Sequence, residues 1–123
     1  MKATVRKFSR ARHDVTGWLA LVLLCSCLCA RAEMPADAVW IDVRTPTEYA
    51  NDHLREAVLI PFDGIEAGVA RLQLPKDIPI YLYCSVGGRA EVAKQRLEAI
   101  NYSNITNVGS LENARSIVAD SPP

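Results

Sequence analysis

Beyond residue 32 this chain has a single cysteine, Cys84, which excludes an internal disulfide there. The other three, Cys25, Cys27 and Cys29, sit in an N-terminal segment of different character. Long hydrophobic runs are also missing. The apolar stretch Trp18 to Ala30 falls short of the ~20 residues a bilayer-crossing helix needs, so no stable membrane span is expected. Neither sign of charge dominates, with 14 basic and 14 acidic residues. There is no internal repeat and no low-complexity linker, which leaves one ordinary domain.

The charge balance conceals an asymmetry. Residues 1–32 hold six of the basic residues, Lys2, Arg6, Lys7, Arg10, Arg12 and Arg31, and one acidic residue, Asp14. A basic start, the apolar run from Gly17, and then Ala30-Arg31-Ala32 follow the order of a secretory signal peptide. The expected cleavage after Ala32 gives a mature domain of residues 33–123, with its core at about 38–118, exported to the periplasm. A second reading takes Leu24-Cys25-Ser26-Cys27 as a lipoprotein box with Cys27 lipidated. Without residues 1–32 the chain carries 8 basic against 13 acidic residues, a net of −5. Such a domain offers no broad basic surface for nucleic acid.

Strand and helix signals alternate along the mature part. Val39–Val43, Ala57–Ile60, Ile78–Tyr83 and Ile105–Val108 read as strands. Thr45 and Pro46 mark a helix start, Asp63 a cap for a helix reaching about Leu72. A third helix is expected over Glu91–Ile100, with Val92, Leu97 and Ile100 inward and Asn101-Tyr102 as its stop. Gly109 reads as a turn before a last helix, Leu111–Val118. Repeated β-then-α units imply a three-layer α/β/α fold with a central, mostly parallel sheet of four to five strands. The nearly continuous apolar run Ile78–Tyr83 suits a central strand buried on both faces.

That strand delivers Cys84 into Ser85-Val86-Gly87-Gly88-Arg89, directly before the third helix. A strand-end cysteine can be merely a small buried hydrophobe. Here two glycines let the backbone close around an anion, and the helix dipole points its positive end at the sulfur. Both favour thiolate, the nucleophilic form. Arg44 and Glu48, four apart, read as an ion pair at a helix start. His53 reads as a hydrogen-bonded structural histidine, and Trp40, Tyr81 and Tyr83 as core or pocket wall.

Asp42-Val43-Arg44, Glu48-Tyr49, His53-Leu54, Ala57 to Pro61 and Tyr83-Cys84 with Gly87 and Arg89 resemble, in order, the motifs of the rhodanese family. With the signal peptide, the resemblance is to small periplasmic single-domain sulfurtransferases. Asp52, Glu56, Ala90 and Ser110 depart from the family pattern at loop positions. The resemblance implies a thiosulfate sulfurtransferase that needs no cofactor or metal, acts as a monomer, and passes a sulfane sulfur from a small sulfur-containing anion to cyanide or a thiol. It implies Cys84 as the persulfide-forming nucleophile, Ser85, Val86, Gly87, Gly88 and Arg89 as the substrate-binding loop, and Asp42, Arg44 and Glu48 as structural support. Arg89 has two open roles: an anion contact, or a salt bridge to a carboxylate such as Asp42. Two other classes compete, a cysteine phosphatase or arsenate reductase and a non-catalytic sulfur-carrier module. Cysteine phosphatases enclose five residues between cysteine and arginine, whereas Cys84 and Arg89 enclose four.

Overall fold

The computed structural model describes residues 34–121. The expected signal segment, including the alternative lipidation site Cys27, lies outside the described residues. Four strands, β1 (Val39–Asp42), β2 (Ala57–Leu59), β3 (Ile80–Cys84) and β4 (Ile105–Ser110), alternate with α1 (Pro46–Asn51), α2 (Ile65–Leu72), α3 (Gly88–Ala99) and α4 (Leu111–Asp120). All strand pairs are parallel, in the order β2-β1-β3-β4. The expected α/β/α layering and parallel sheet are present, with four strands. Among the described residues no helix is long and apolar enough to cross a membrane.

Alternation along the strands sorts the core into two layers. Ile41 and Val43 after β1, with Ile80, Leu82 and Cys84 of β3, point to the face covered by Ile65 and Val69 of α2 and Ala90, Ala93 and Leu97 of α3. Trp40 and Tyr83 point to the other face, against Leu54, Ala57 and Ala114 of α4. Trp40 stacks on Tyr81 of the neighbouring strand with ring centroids 4.9 Å apart. The fully buried Tyr83 hydroxyl accepts the Leu54 N–H at 3.1 Å, so its polar end is satisfied within the core.

Four expectations about the elements are corrected. Helix α3 begins at Gly88 rather than Glu91, because Gly87 takes a left-handed φ of +101° as its N-cap and the next residues already turn. Its buried stripe is Ala90, Ala93 and Leu97, the two alanines letting the helix approach the sheet, while Val92 is exposed. Asp63 caps nothing: it lies in a 3-10 turn over Phe62–Gly64, and Gly64 precedes α2. Gly109 is inside β4 rather than in a turn. The register slips there, with Leu82 opposite Asn107 and Tyr83 opposite Gly109, and Gly109 takes φ +87° to absorb the bulge. By contrast, Thr45 does cap α1, in a reciprocal capping box with Glu48 and with Pro46 in the first turn.

Candidate active site

β1 and β3 lie side by side but send the chain in opposite directions, β1 through α1 to β2 and β3 through α3 to β4. The carboxyl ends of such a pair leave an uncrossed crevice, the usual ligand position in open parallel sheets. Thr45 and Glu48 reach this crevice from the β1 side, and Cys84 to Arg89 reach it from the β3 side.

The sulfur of Cys84 sits at the start of the 12-residue helix α3. The Gly87 N–H donates to Sγ at 2.9 Å. Burial by itself pushes the thiol pKa up. The N–H groups of Ala90, Val86, Gly87 and Arg89 stabilise the anion and outweigh that effect, leaving the pKa below the ordinary thiol value. A peptide donor on the sulfur at a helix start is what a thiolate in this crevice requires. A Cβ at Gly87 would lie 3.2 Å from the Gly109 Cα on top of the unfavourable φ, whereas one at Gly88 would meet nothing within 4 Å. Only the first glycine is demanded by space. Val86 stands at the loop tip, 88% exposed.

The side chains of the loop rim form a closed set. Arg89 makes a two-pronged pair with Glu48, Nη1 to Oε2 and Nη2 to Oε1 both at 2.8 Å. Its Nη2 also donates to Ser85 Oγ at 2.8 Å, and Ser85 donates to Glu48 Oε1 at 3.0 Å. Arg89, followed by the Thr45 N–H and hydroxyl, holds the Glu48 carboxyl well below the usual carboxylate range. The expected Arg44–Glu48 pair is thereby corrected, and of the two roles open to Arg89 the structure has the salt bridge, with Glu48 as its carboxylate. Glu48 faces Arg89 across the crevice instead of pairing with Arg44, and Arg89 does not reach Asp42. Arg44 follows an extended strand, so its short-range neighbour is Asp42, two residues back on the same side. Its backbone N–H and Nε each reach Asp42 Oδ1 at 2.9 Å, and its Nη2 reaches Oδ2 at 2.7 Å. The pair is buried over the Tyr83 ring, away from the sulfur. His53 lies in the α1–β2 connection, stacked on Tyr49, with Nδ1 2.7 Å from the Tyr49 carbonyl oxygen.

The matching profile settles which family this site belongs to: a rhodanese-like domain is recognised over residues 29–115. The chain belongs to the rhodanese-like family. It is 32% identical over 96 residues to the thiosulfate sulfurtransferase PspE of Escherichia coli (strain K12), covering 78% of this chain and 88% of that protein. A solved structure described as a rhodanese with anions from E. coli superposes with a TM-score of 0.59 at 30% identity, over 62% of this chain and 89% of that one. A rhodanese-like domain protein from Staphylococcus aureus gives 0.56 at 28% identity, over 68% and 78%.

Sequence reasoning missed one polar hub of this rhodanese-like site. Asn107 Nδ2 donates to the Gly87 carbonyl and to Glu91 Oε2, each at 3.0 Å, and its Oδ1 accepts the Gly109 N–H at 3.0 Å. The bulge glycine was the one available signal, since a glycine inside a strand commonly marks a bulge or a close backbone approach. Among the described residues no cluster of three or more His, Cys, Asp or Glu side chains could hold a metal ion. A shallow groove lined by His53, Arg55, Arg115 and Val118 includes no residue of the Cys84 loop.

Proposed function

We propose that the protein is a sulfurtransferase that carries a sulfane sulfur on Cys84. The observation that carries this reading is the Cys84 sulfur held by the Gly87 N–H at 2.9 Å at the start of α3, at the position the family motif gives to its cysteine. Its thiolate attacks the outer sulfur of thiosulfate. A Cys84–sulfur bond forms, the sulfur–sulfur bond of the donor breaks, and sulfite leaves with that electron pair. The loop N–H groups then hold the terminal anion of the persulfide. Cyanide or a thiolate attacks the outer sulfur next, giving thiocyanate or a new persulfide and returning Cys84 as thiolate. These two displacements predict ping-pong kinetics.

In this reading Ser85 and Val86 form the uncharged outer wall, and Gly87 and Gly88 let the backbone face the ligand. Arg89 supports the loop through Glu48. The four residues enclosed between Cys84 and Arg89, one fewer than in cysteine phosphatases, favour sulfur transfer over the phosphatase or arsenate reductase alternative. The similarity to the thiosulfate sulfurtransferase of E. coli supports thiosulfate as the donor class. Export to the periplasm after cleavage at Ala32 is part of the same proposal, and N-terminal sequencing of the native protein checks it.

The test is the thiosulfate:cyanide assay on the wild type and on Cys84→Ser. Thiocyanate production by the wild type, lost in a folded Cys84→Ser, is the expected result. Equal turnover by both would end the proposal.

A further inference from the structure

We infer that Asn107 is a positioning residue for Cys84, its carboxamide fixing the Gly87 carbonyl and thereby the aim of the peptide N–H groups at the sulfur. This rests on the reading of Cys84 as the reactive thiol but not on the identity of any sulfur donor.

Four hydrogen bonds carry the argument. The Gly87 carbonyl accepts two hydrogen bonds, the first bond of α3 from the Glu91 N–H at 2.9 Å and the Asn107 carboxamide at 3.0 Å. Gly87 is the N-cap, so fixing its carbonyl fixes the first turn and the residue whose own N–H donates to Sγ at 2.9 Å. The carboxamide itself has only one orientation that satisfies its surroundings. Its oxygen must face the Gly109 N–H, and its nitrogen must face the Gly87 carbonyl and the Glu91 carboxylate. The bulge in β4 makes this geometry available by setting Asn107 and Gly109 opposite the consecutive residues Leu82 and Tyr83, next to Cys84. Gly87 and Gly109 approach closely enough that a side chain on Gly87 would crowd the Gly109 backbone, so the loop and the bulge are fitted to each other.

A carboxylate could not replace the carboxamide, because it would place lone pairs against both Gly87 and Glu91. An apolar residue would leave the loop carbonyl and the Gly109 N–H without this partner. In either case Gly87 regains conformational freedom, and the thiolate loses directed donors. The charged groups to consider at the sulfur are Arg89, Glu48 paired to it from α1, and Glu91, which turns to Asn107 on the β4 side.

Alkylation of Cys84 by iodoacetamide as a function of pH tests the inference, followed in the full chain by peptide mass mapping so that Cys25, Cys27 and Cys29 stay out of the readout, using wild type, Asn107→Leu and Asn107→Ala. The expected result is a thiol titration displaced upward by about one pH unit, so that alkylation well below both midpoints slows about tenfold with an unchanged plateau at high pH. A folded variant whose titration superposes on the wild type overturns the inference, even if its melting temperature falls, because that outcome assigns Asn107 a purely structural role. A second readout needs no variant. In the wild type, the Asn107 carboxamide NMR signals should titrate with the midpoint of Cys84, and signals indifferent to thiol ionisation would equally overturn the inference. Neither readout involves sulfur transfer, so failure of the proposed activity and failure of this inference are told apart.

Discussion

Two arginine–carboxylate pairs flank the crevice between β1 and β3, and they differ in almost everything but chemistry. Asp42–Arg44 is sealed, its side chains 0% and 10% exposed, and joins residues two apart. Glu48–Arg89 is at the rim, its side chains 33% and 30% exposed, and joins residues 41 apart in sequence. The sealed pair holds the end of β1, with Arg44 also donating to the Asp52 carbonyl at 2.6 Å and lying over Tyr83. The rim pair ties α1 to the Cys84 loop. Burial therefore divides the work: one pair stabilises the sheet, and the other shapes the site.

The sharpest way to break that division is Asp42→Ala. It strands a buried guanidinium and should cost about 3–5 kcal/mol in urea denaturation. Next in size is Gly87→Ala, which combines a left-handed φ with a close approach to Gly109. It should cost about 1–2 kcal/mol and impair sulfur transfer as well. Glu48→Gln should cost under about 1 kcal/mol, since rim pairs are screened, yet lower sulfur transfer through loss of loop order. Equal destabilisation by Asp42→Ala and Glu48→Gln would abolish the distinction between the pairs. Gly88→Ala should have the smallest effect and the opposite sign, a gain of up to about 1 kcal/mol, because Gly88 is helical with open space around it.

The pH dependence sharpens the same contrast. Arg89 holds the folded-state pKa of Glu48 below its ordinary value. The stability contributed by that carboxylate is thus fully present above its unfolded pKa, and it is lost as pH falls through the depressed folded value. Wild-type stability should decline through the acid range more steeply than that of Glu48→Gln. Parallel curves would show that the rim pair contributes no linkage.

The alternation of strands and helices was legible because Ile78–Tyr83 is nearly all apolar and because Thr45 and Pro46 mark a helix start. The loop was legible because cysteine, glycine and arginine stand at fixed spacing in one short segment. The partners of the charged residues were not. Arg44 and Glu48 have helical spacing, but Arg44 lies on extended chain before the Thr45 cap, where spacing by four carries no contact. Glu48 meets Arg89 only because the sheet order places the end of β1 beside the end of β3. Asn107 was missed for a similar reason, since its orientation depends on a register slip at which only Gly109 hints. Val92 misled the reading of α3 because size alone does not say which stripe of a helix approaches a sheet.

Intact mass spectrometry after thiosulfate treatment tests the central claim most directly. The mature protein should gain the mass of one sulfur, located on Cys84 by peptide mapping and removed by cyanide. A protein with a free, accessible Cys84 that takes up no sulfur from thiosulfate, or takes it up equally as Cys84→Ser, would contradict the account.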